Sequence, residues 1–172
     1  VVYEDGKYRM WYYPVSLGRN PDISPEQKEL TKSWTADLWL GTVCYAESQD
    51  GIHWTRPDLG LFEFEGSKKN NIIWTDVGAH NFAPFIDTNP NCPPEQRYKA
   101  LAGAGPKGTL VPFVSADGLH WEKLQEDPVI TKGAFDSQNL AFWDTLREEY
   151  VEYHRGFKDD VRDIMTSRSK DF

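Results

Sequence analysis

Apolar and polar residues alternate in short runs along this chain, and the runs are broken by turn residues. Lys7 to Tyr13 (KYRMWYY) alternates and is rich in aromatic residues. Leu38 to Glu47 (LWLGTVCYAE) forms the next run. Asn81 to Asp87, Tyr98 to Gly103 and Thr109 to Ser115 make a second set, and Trp121 to Leu124 begins a further short strand. Asn139 to Asp144, Tyr150 to Arg155 and Asp163 to Ser167 make a third. A period of two over four to eight residues is the mark of half-buried strands. The pattern therefore predicts an all-β chain. Only Ser24 to Leu30 (SPEQKEL) carries a helix start, with Ser at the cap and Pro at the first position.

A short motif punctuates the strands. Ser48-Gln49-Asp50-Gly51-Ile52-His53-Trp54 returns as Ser115-Ala116-Asp117-Gly118-Leu119-His120-Trp121. A third start, Ser167-Arg168-Ser169-Lys170-Asp171-Phe172, runs to the last residue. Repetition at this spacing signals an array of similar units. Each unit reads as three strands, the motif, and a fourth short strand. Four antiparallel strands repeated radially form the blade of a β-propeller. The expected division is an incomplete unit over 1–74 with a polar insertion at 14–37, a complete unit over 75–130, and an incomplete unit over 131–172. On this reading the first unit lacks its first strand and the third lacks its fourth, so the chain holds about two and a half blades.

The motif has a mechanical explanation. Asp-Gly is a tight-turn pair, and Ser and Asp side chains can satisfy the turn's amides. His53 and His120 are expected to pack within the turn, because neither has further ligands at a metal spacing. Asp87 and Asp144 lie beside turns and are expected to cap them.

Composition narrows the function classes. The net charge of −8 offers no basic stripe for phosphates, so no nucleic acid is expected as a partner. No apolar stretch reaches the ~18 residues of a membrane-spanning helix, and no membrane partner is expected. Cys44 sits in an apolar run and Cys92 in a Pro-rich loop, and nothing indicates a disulfide between them. No metal or cofactor motif is present: there is no nucleophile elbow, phosphate-binding glycine loop or His-Glu-x-x-His.

Candidate chemistry sits where the first strand of each unit begins. Polar residues at the edge of an apolar strand are costly to bury unless paired or used. Two such starts align, Gly78 to Asp87 and Phe135 to Asp144. They nominate His80, Asn81, Asp136, Gln138 and Asn139 as pocket residues. Arg155 ends a strand and can reach a carboxylate or a sugar hydroxyl, while His154 alternates to the opposite face. Glu152, Arg162 and Asp163 are ambiguous between a site and a solvated surface.

Several stretches carry a family resemblance. They are GKYRMWYY, YAESQDGIHWTRPDLGLFEFEGSKKNNII, the second DGLHW, FDSQNLAFWDTLREEYVEYHRG and SRSKDF. Together they resemble the five-bladed propeller proteins that are similar to the N-terminal domain of family 32 glycoside hydrolases, a group related in fold to family 43. The resemblance implies a carbohydrate-active protein whose partner is an oligo- or polysaccharide, and a secreted or periplasmic location. It implies glycosidic hydrolysis by carboxylates in a central funnel, one as general acid and another as nucleophile or base. Their separation, about 5–5.5 Å or about 6.5–9.5 Å, sets retention or inversion. Asp136 falls at the third blade's acid position, and His80-Asn81 falls where the second blade often carries Asp. His80, Asn81, Gln138, Asn139 and Arg155 are then substrate-binding candidates. Two alternatives stand beside this reading: a non-catalytic carbohydrate-binding or scaffold propeller, and a sialidase-like propeller whose Asp-box differs in the spacing of its glycine.

Overall fold

The structure is a computed structural model that describes residues 1–14, 41–75, 78–103 and 108–172. The helix start expected at Ser24 to Leu30, and the insertion beyond Pro14, lie outside the described residues. Among the described residues three antiparallel sheets follow one another along the chain, and none closes on itself. The first contains β1 (Val2–Glu4), β2 (Lys7–Tyr12), β3 (Thr42–Ser48) and β4 (Ile72–Thr75). The second contains β5 (Ala83–Ile86), β6 (Tyr98–Gly103), β7 (Leu110–Ser115) and β8 (Glu122–Lys123). The third contains β9 (Leu140–Asp144), β10 (Glu149–Lys158) and β11 (Val161–Ser169). Each sheet is a meander whose sequential strands are neighbours.

One expectation needs correction. The first sheet does not lack its first strand, because Val2–Glu4 pairs with β2. Asp5 and Gly6 form the connecting turn, both at positive φ (50° and 77°). A two-residue turn of that kind matches the twist of the strands it joins. Three residues are too few to show a period, but the Asp-Gly pair was the available signal. Asp159 and Asp160, at φ 51° and 61°, close the β10–β11 hairpin in the same way.

The fourth strand of the first two sheets comes in two pieces. In the first, Thr55 bridges Glu47, and after an excursion Ile72–Thr75 pairs with the other half of β3. In the second, β8 pairs with β7, and Ile130 returns to bridge Leu110. The motif thus ends the third strand and starts the fourth in both.

The second sheet is covered on both sides. Strand β6 shows why: alternate residues point to opposite faces. Tyr98, Ala100 and Ala102 join Val43, Tyr45 and Ile73 of the first sheet in one core cluster. Leu101 faces the other way and joins Leu110, Phe135 and Ala141 in a second cluster toward the third sheet. Aromatic edges fill the first cluster, with Phe82 at 4.8 Å from Trp121 and Trp74 at 5.1 Å from Phe113 between ring centroids. Each such contact contributes about 0.5–1.5 kcal/mol beyond area burial. The third sheet's outer face stays open, with Leu140, Phe142, Tyr153, Phe157 and Ile164 exposed.

Candidate functional site

The repeated motif proves to be a turn scaffold. Ser48 Oγ accepts the amides of Asp50 and Gly51 at 3.2 and 2.8 Å. Asp50 Oδ1 accepts those of Ile52 and His53, both at 2.8 Å. His53 Nδ1 lies 2.7 Å from Asp50 Oδ2. The second copy repeats every contact through Ser115, Asp117 and His120. The second copy also locks two sheets together. Its Gly118 carbonyl accepts Trp11 Nε1 at 2.7 Å and Trp121 Nε1 at 2.9 Å, and its Asp117 carbonyl accepts Arg9 at 2.9 Å. Burial alone would raise the Asp117 carboxyl, but the His120 amide and imidazole and the Leu119 amide outweigh it and hold it at about 2. Both histidines bond the motif's own aspartate, as turn residues would.

The nominated pocket residues gather around one short segment, Phe135 to Asn139, that leads into β9. Asn81 ends a 3₁₀ turn, Ala79–Asn81, ahead of β5. Its Oδ1 accepts the Gly103 amide at 2.7 Å and its Nδ2 donates to the Phe135 carbonyl. Asn139 is fully buried and donates to the Ser137 carbonyl at 3.0 Å and the Phe135 carbonyl at 3.4 Å. Two asparagines, one ahead of β5 and one ahead of β9, therefore fix the backbone on either side of Asp136. They position the segment and do not line its cleft. His80 sits in the same 3₁₀ turn, and its side chain lies outside the described residues.

Asp136 points outward, with its side chain 68% exposed, and accepts a hydrogen bond from Arg155 Nη2. Ala134 donates its amide to the Arg155 carbonyl at 2.7 Å, which places β10 against the segment. The Arg155 guanidinium stands 5.5 Å over the Phe157 ring, and its buried Nε has no hydrogen-bond partner among the described residues. Beside Arg155 opens a cleft of about 330 Å³, lined by Ser137, Gln138, Tyr153, Arg155, Arg162 and Asp163 among others, while Asp136 stands outside the lining and reaches it through Arg155. Arg162 and Asp163, ambiguous in sequence, thus face the same cleft as Arg155. Donors, acceptors and an aromatic ring converge there.

A second constellation lies between the second and third sheets. Asp87 does cap a turn, accepting the Asn89 amide at 2.9 Å through Oδ1. Its other oxygen carries more: Oδ2 accepts Lys99 Nζ at 2.7 Å and the Tyr150 hydroxyl at 2.7 Å. The Lys99 and Asp87 side chains are 2% and 0% exposed. Burial would raise the Asp87 carboxyl, but the bonds from Lys99, the Asn89 amide and Tyr150 pull it below the ordinary value. Glu152 is buried, not solvated, and lies 2.7 Å from His154 Nδ1. Burial pushes its carboxyl up, against the opposing pull of His154. Glu152 and His154 border a larger cleft of about 630 Å³ between the sheets. The alternation in EYVEYHR carried this information, since it puts Tyr150, Glu152 and His154 on one face and Tyr153 and Arg155 on the other. Asp144 behaves as expected, accepting the Leu146 and Arg147 amides at 2.9 and 3.1 Å. Among the described residues no three His, Cys, Asp or Glu side chains are grouped to hold a metal ion.

Comparison with known proteins gives distant kinship. No family model matches the chain, and no solved structure matches it. Two curated relatives do match, both uncharacterized proteins of Mycobacterium tuberculosis, one from strain H37Rv and one from strain CDC 1551 / Oshkosh. Each is 26% identical over 163 residues, which cover 91% of this chain and 42% of the relative. The chain is similar to part of these proteins and spans less than half of their length.

Proposed function

We propose that this chain is part of a carbohydrate-active β-propeller, and that its saccharide contacts are made at the Asp136–Arg155 cleft. Three observations support the propeller reading. The sheets are successive antiparallel meanders, they pack face to face in chain order, and the last presents an apolar face of the kind the others bury. The relatives are long enough to hold further sheets. The observation that carries the functional reading is the pairing of Asp136 with Arg155. A carboxylate and a guanidinium side by side offer acceptors and donors to neighbouring hydroxyls, and Gln138, Ser137 and Tyr153 extend that surface. A small set of polar groups with an aromatic neighbour is the usual composition of a ligand cleft.

In a hydrolase, Asp136 would protonate the leaving oxygen of the glycosidic bond, with a second carboxylate supplied elsewhere in the longer protein. Its oxygen is now held by Arg155, so the saccharide must draw Arg155 away before Asp136 can carry that proton. The same ion pair favours a second reading, a propeller that binds saccharide without cleaving it. The test is a panel of oligosaccharides assayed for binding and for reducing-end release, using a protein of the relatives' length. Binding with release, both lost in Asp136→Asn, supports the hydrolase. Binding without release supports the second reading. Equal binding and release in wild type and Asp136→Asn would overturn the site.

A further inference from the structure

The buried lock between the second and third sheets contains a nucleophilic couple that sugar chemistry does not use. Cys92 lies in the loop joining β5 to β6, half-buried, and both cysteines are free. Lys99 Nζ donates to Cys92 Sγ at 3.1 Å. The Gln96 carbonyl at 3.4 Å, the Pro93 carbonyl at 3.5 Å and the Asp87 carboxylate are the acceptors within reach of the thiol proton. The sulfur lone pair therefore faces the nitrogen. Lys99 cannot swing out to solvent, because its nitrogen is also held by Asp87 Oδ2 at 2.7 Å and the Gln96 carbonyl at 3.3 Å. The amine is thus pre-positioned against the sulfur, the condition under which an intramolecular reaction outruns competing ones. Cys44 offers the contrast: it is 7% exposed within β3.

We propose that Cys92 and Lys99 form an oxidative modification site, at which peroxide closes a covalent sulfur–nitrogen bond. The first step is two-electron oxidation of the thiol: Cys92–SH and hydrogen peroxide give Cys92–SOH and water, the peroxide O–O bond being broken and reduced. A sulfenic acid condenses with a nearby nitrogen to give a sulfenamide. In the second step the Lys99 ammonium first gives one proton to the Asp87 carboxylate 2.7 Å away, and from there to solvent. The freed lone pair on Nζ attacks Sγ, the S–O bond breaks, and the oxygen takes a second proton from the nitrogen and leaves as water. The product is Cys92–S–NH–Lys99, two hydrogens lighter than the reduced pair, and thiol reductants reverse it. The bond would remove the cation from the ion pair that anchors Tyr150 of β10, so oxidation reaches the contact between sheets. Burial, with the Asp87 carboxylate adding to it, pushes the Cys92 thiol up, so oxidation is slow at neutral pH and accelerates as pH rises.

The experiment treats the intact chain with hydrogen peroxide and reads it by whole-protein and tryptic-peptide mass spectrometry. The expected result is a species two hydrogens lighter in which trypsin no longer cuts after Lys99 and the Lys99 peptide is joined to the Cys92 peptide. Dithiothreitol restores the original mass. Cys92→Ser abolishes the species and Cys44→Ser does not. Cys92 passing to sulfinic and sulfonic acid with Lys99 still cleavable would overturn the proposal. So would a cross-link that persists in Cys92→Ser.

Discussion

Replacing Lys99 with methionine takes one charge out of the Asp87–Lys99–Tyr150 lock and leaves the other behind. Methionine matches the lysine stem closely, so the cavity cost is small. What is lost is the bond to Asp87 at 2.7 Å, with weaker ones to Cys92 Sγ and the Gln96 carbonyl. Both partners are almost wholly removed from water, so solvent does not screen the loss. Removing one member of a buried pair costs about 3–5 kcal/mol, because the remaining charge has no counterion. Asp87 keeps the Tyr150 hydroxyl and the Asn89 amide as donors, which places the expected cost near the lower end, about 3 kcal/mol. The double variant Asp87→Asn/Lys99→Met removes both charges and should recover about 2 kcal/mol of that loss. Urea unfolding followed by tryptophan fluorescence measures all three, with an unchanged m-value confirming that the unfolded states are alike. The pH dependence adds a second arm. The Asp87 carboxyl is lowered in the fold, so it contributes stability above the ordinary carboxylate range, and that stability is lost as pH falls through its folded value. The deficit of Lys99→Met should therefore shrink in acid. A Lys99→Met cost below about 1 kcal/mol, or a double variant weaker than the single, would refute the assignment of this lock as a stabilising ion pair.

Three further outcomes follow from particular contacts. Glu152 has its carboxyl raised in the fold, so wild-type stability should fall as pH rises from the ordinary carboxylate value through the raised one. Glu152→Gln should flatten that slope in urea midpoints taken across pH, and superimposable profiles would contradict it. Gly51 and Gly118 occupy the same turn position at φ 75° and 76°, so alanine pays the same backbone strain at each. A Cβ on Gly118 would also come within 2.8 Å of the Trp11 ring, against 3.5 Å to Tyr8 at Gly51. Gly118→Ala should therefore cost at least about 1 kcal/mol more than Gly51→Ala, read as the difference in unfolding free energy. Phe157→Ala should loosen the Arg155 guanidinium that stacks on it, weakening any saccharide bound beside Asp136 by a few-fold while leaving the thermal midpoint nearly unchanged, since Phe157 is 59% exposed. Isothermal titration with the best oligosaccharide of the panel checks this, and unaltered affinity would remove Arg155 from the site.

Strand content was legible because the alternation is strict where one face is buried. Tyr98–Gly103 emerged with the expected bounds, and its near-continuous burial reflects a sheet covered on both sides. The motif was legible as a turn because Ser, Asp and Gly each have one physical reason to be there. Strand β1 was missed because three residues carry no period, although Asp5-Gly6 announced its hairpin. The convergence of Asn81 and Asn139 on one carbonyl, with Arg155 reaching Asp136, depends on how the second and third sheets face each other. No local pattern contains that. Lys99 was invisible for a related reason. A lysine within an apolar run reads as a solvated edge until the fold brings Asp87 and Tyr150 to it. Glu152 and His154 were within reach, since their spacing in β10 places both on the buried face.

Heteronuclear NMR of the labelled chain, titrated with the oligosaccharide that binds best in the panel, decides whether the cleft beside Asp136 and Arg155 receives saccharide. Saturable shifts are expected, confined to Ser137, Gln138, Tyr153 and the Arg155 side chain, with their loss in Asp136→Asn and the remaining spectrum unchanged. Shifts that cluster at the repeated turns or in the larger cleft beside Glu152, with none around Asp136, would contradict saccharide binding at this cleft.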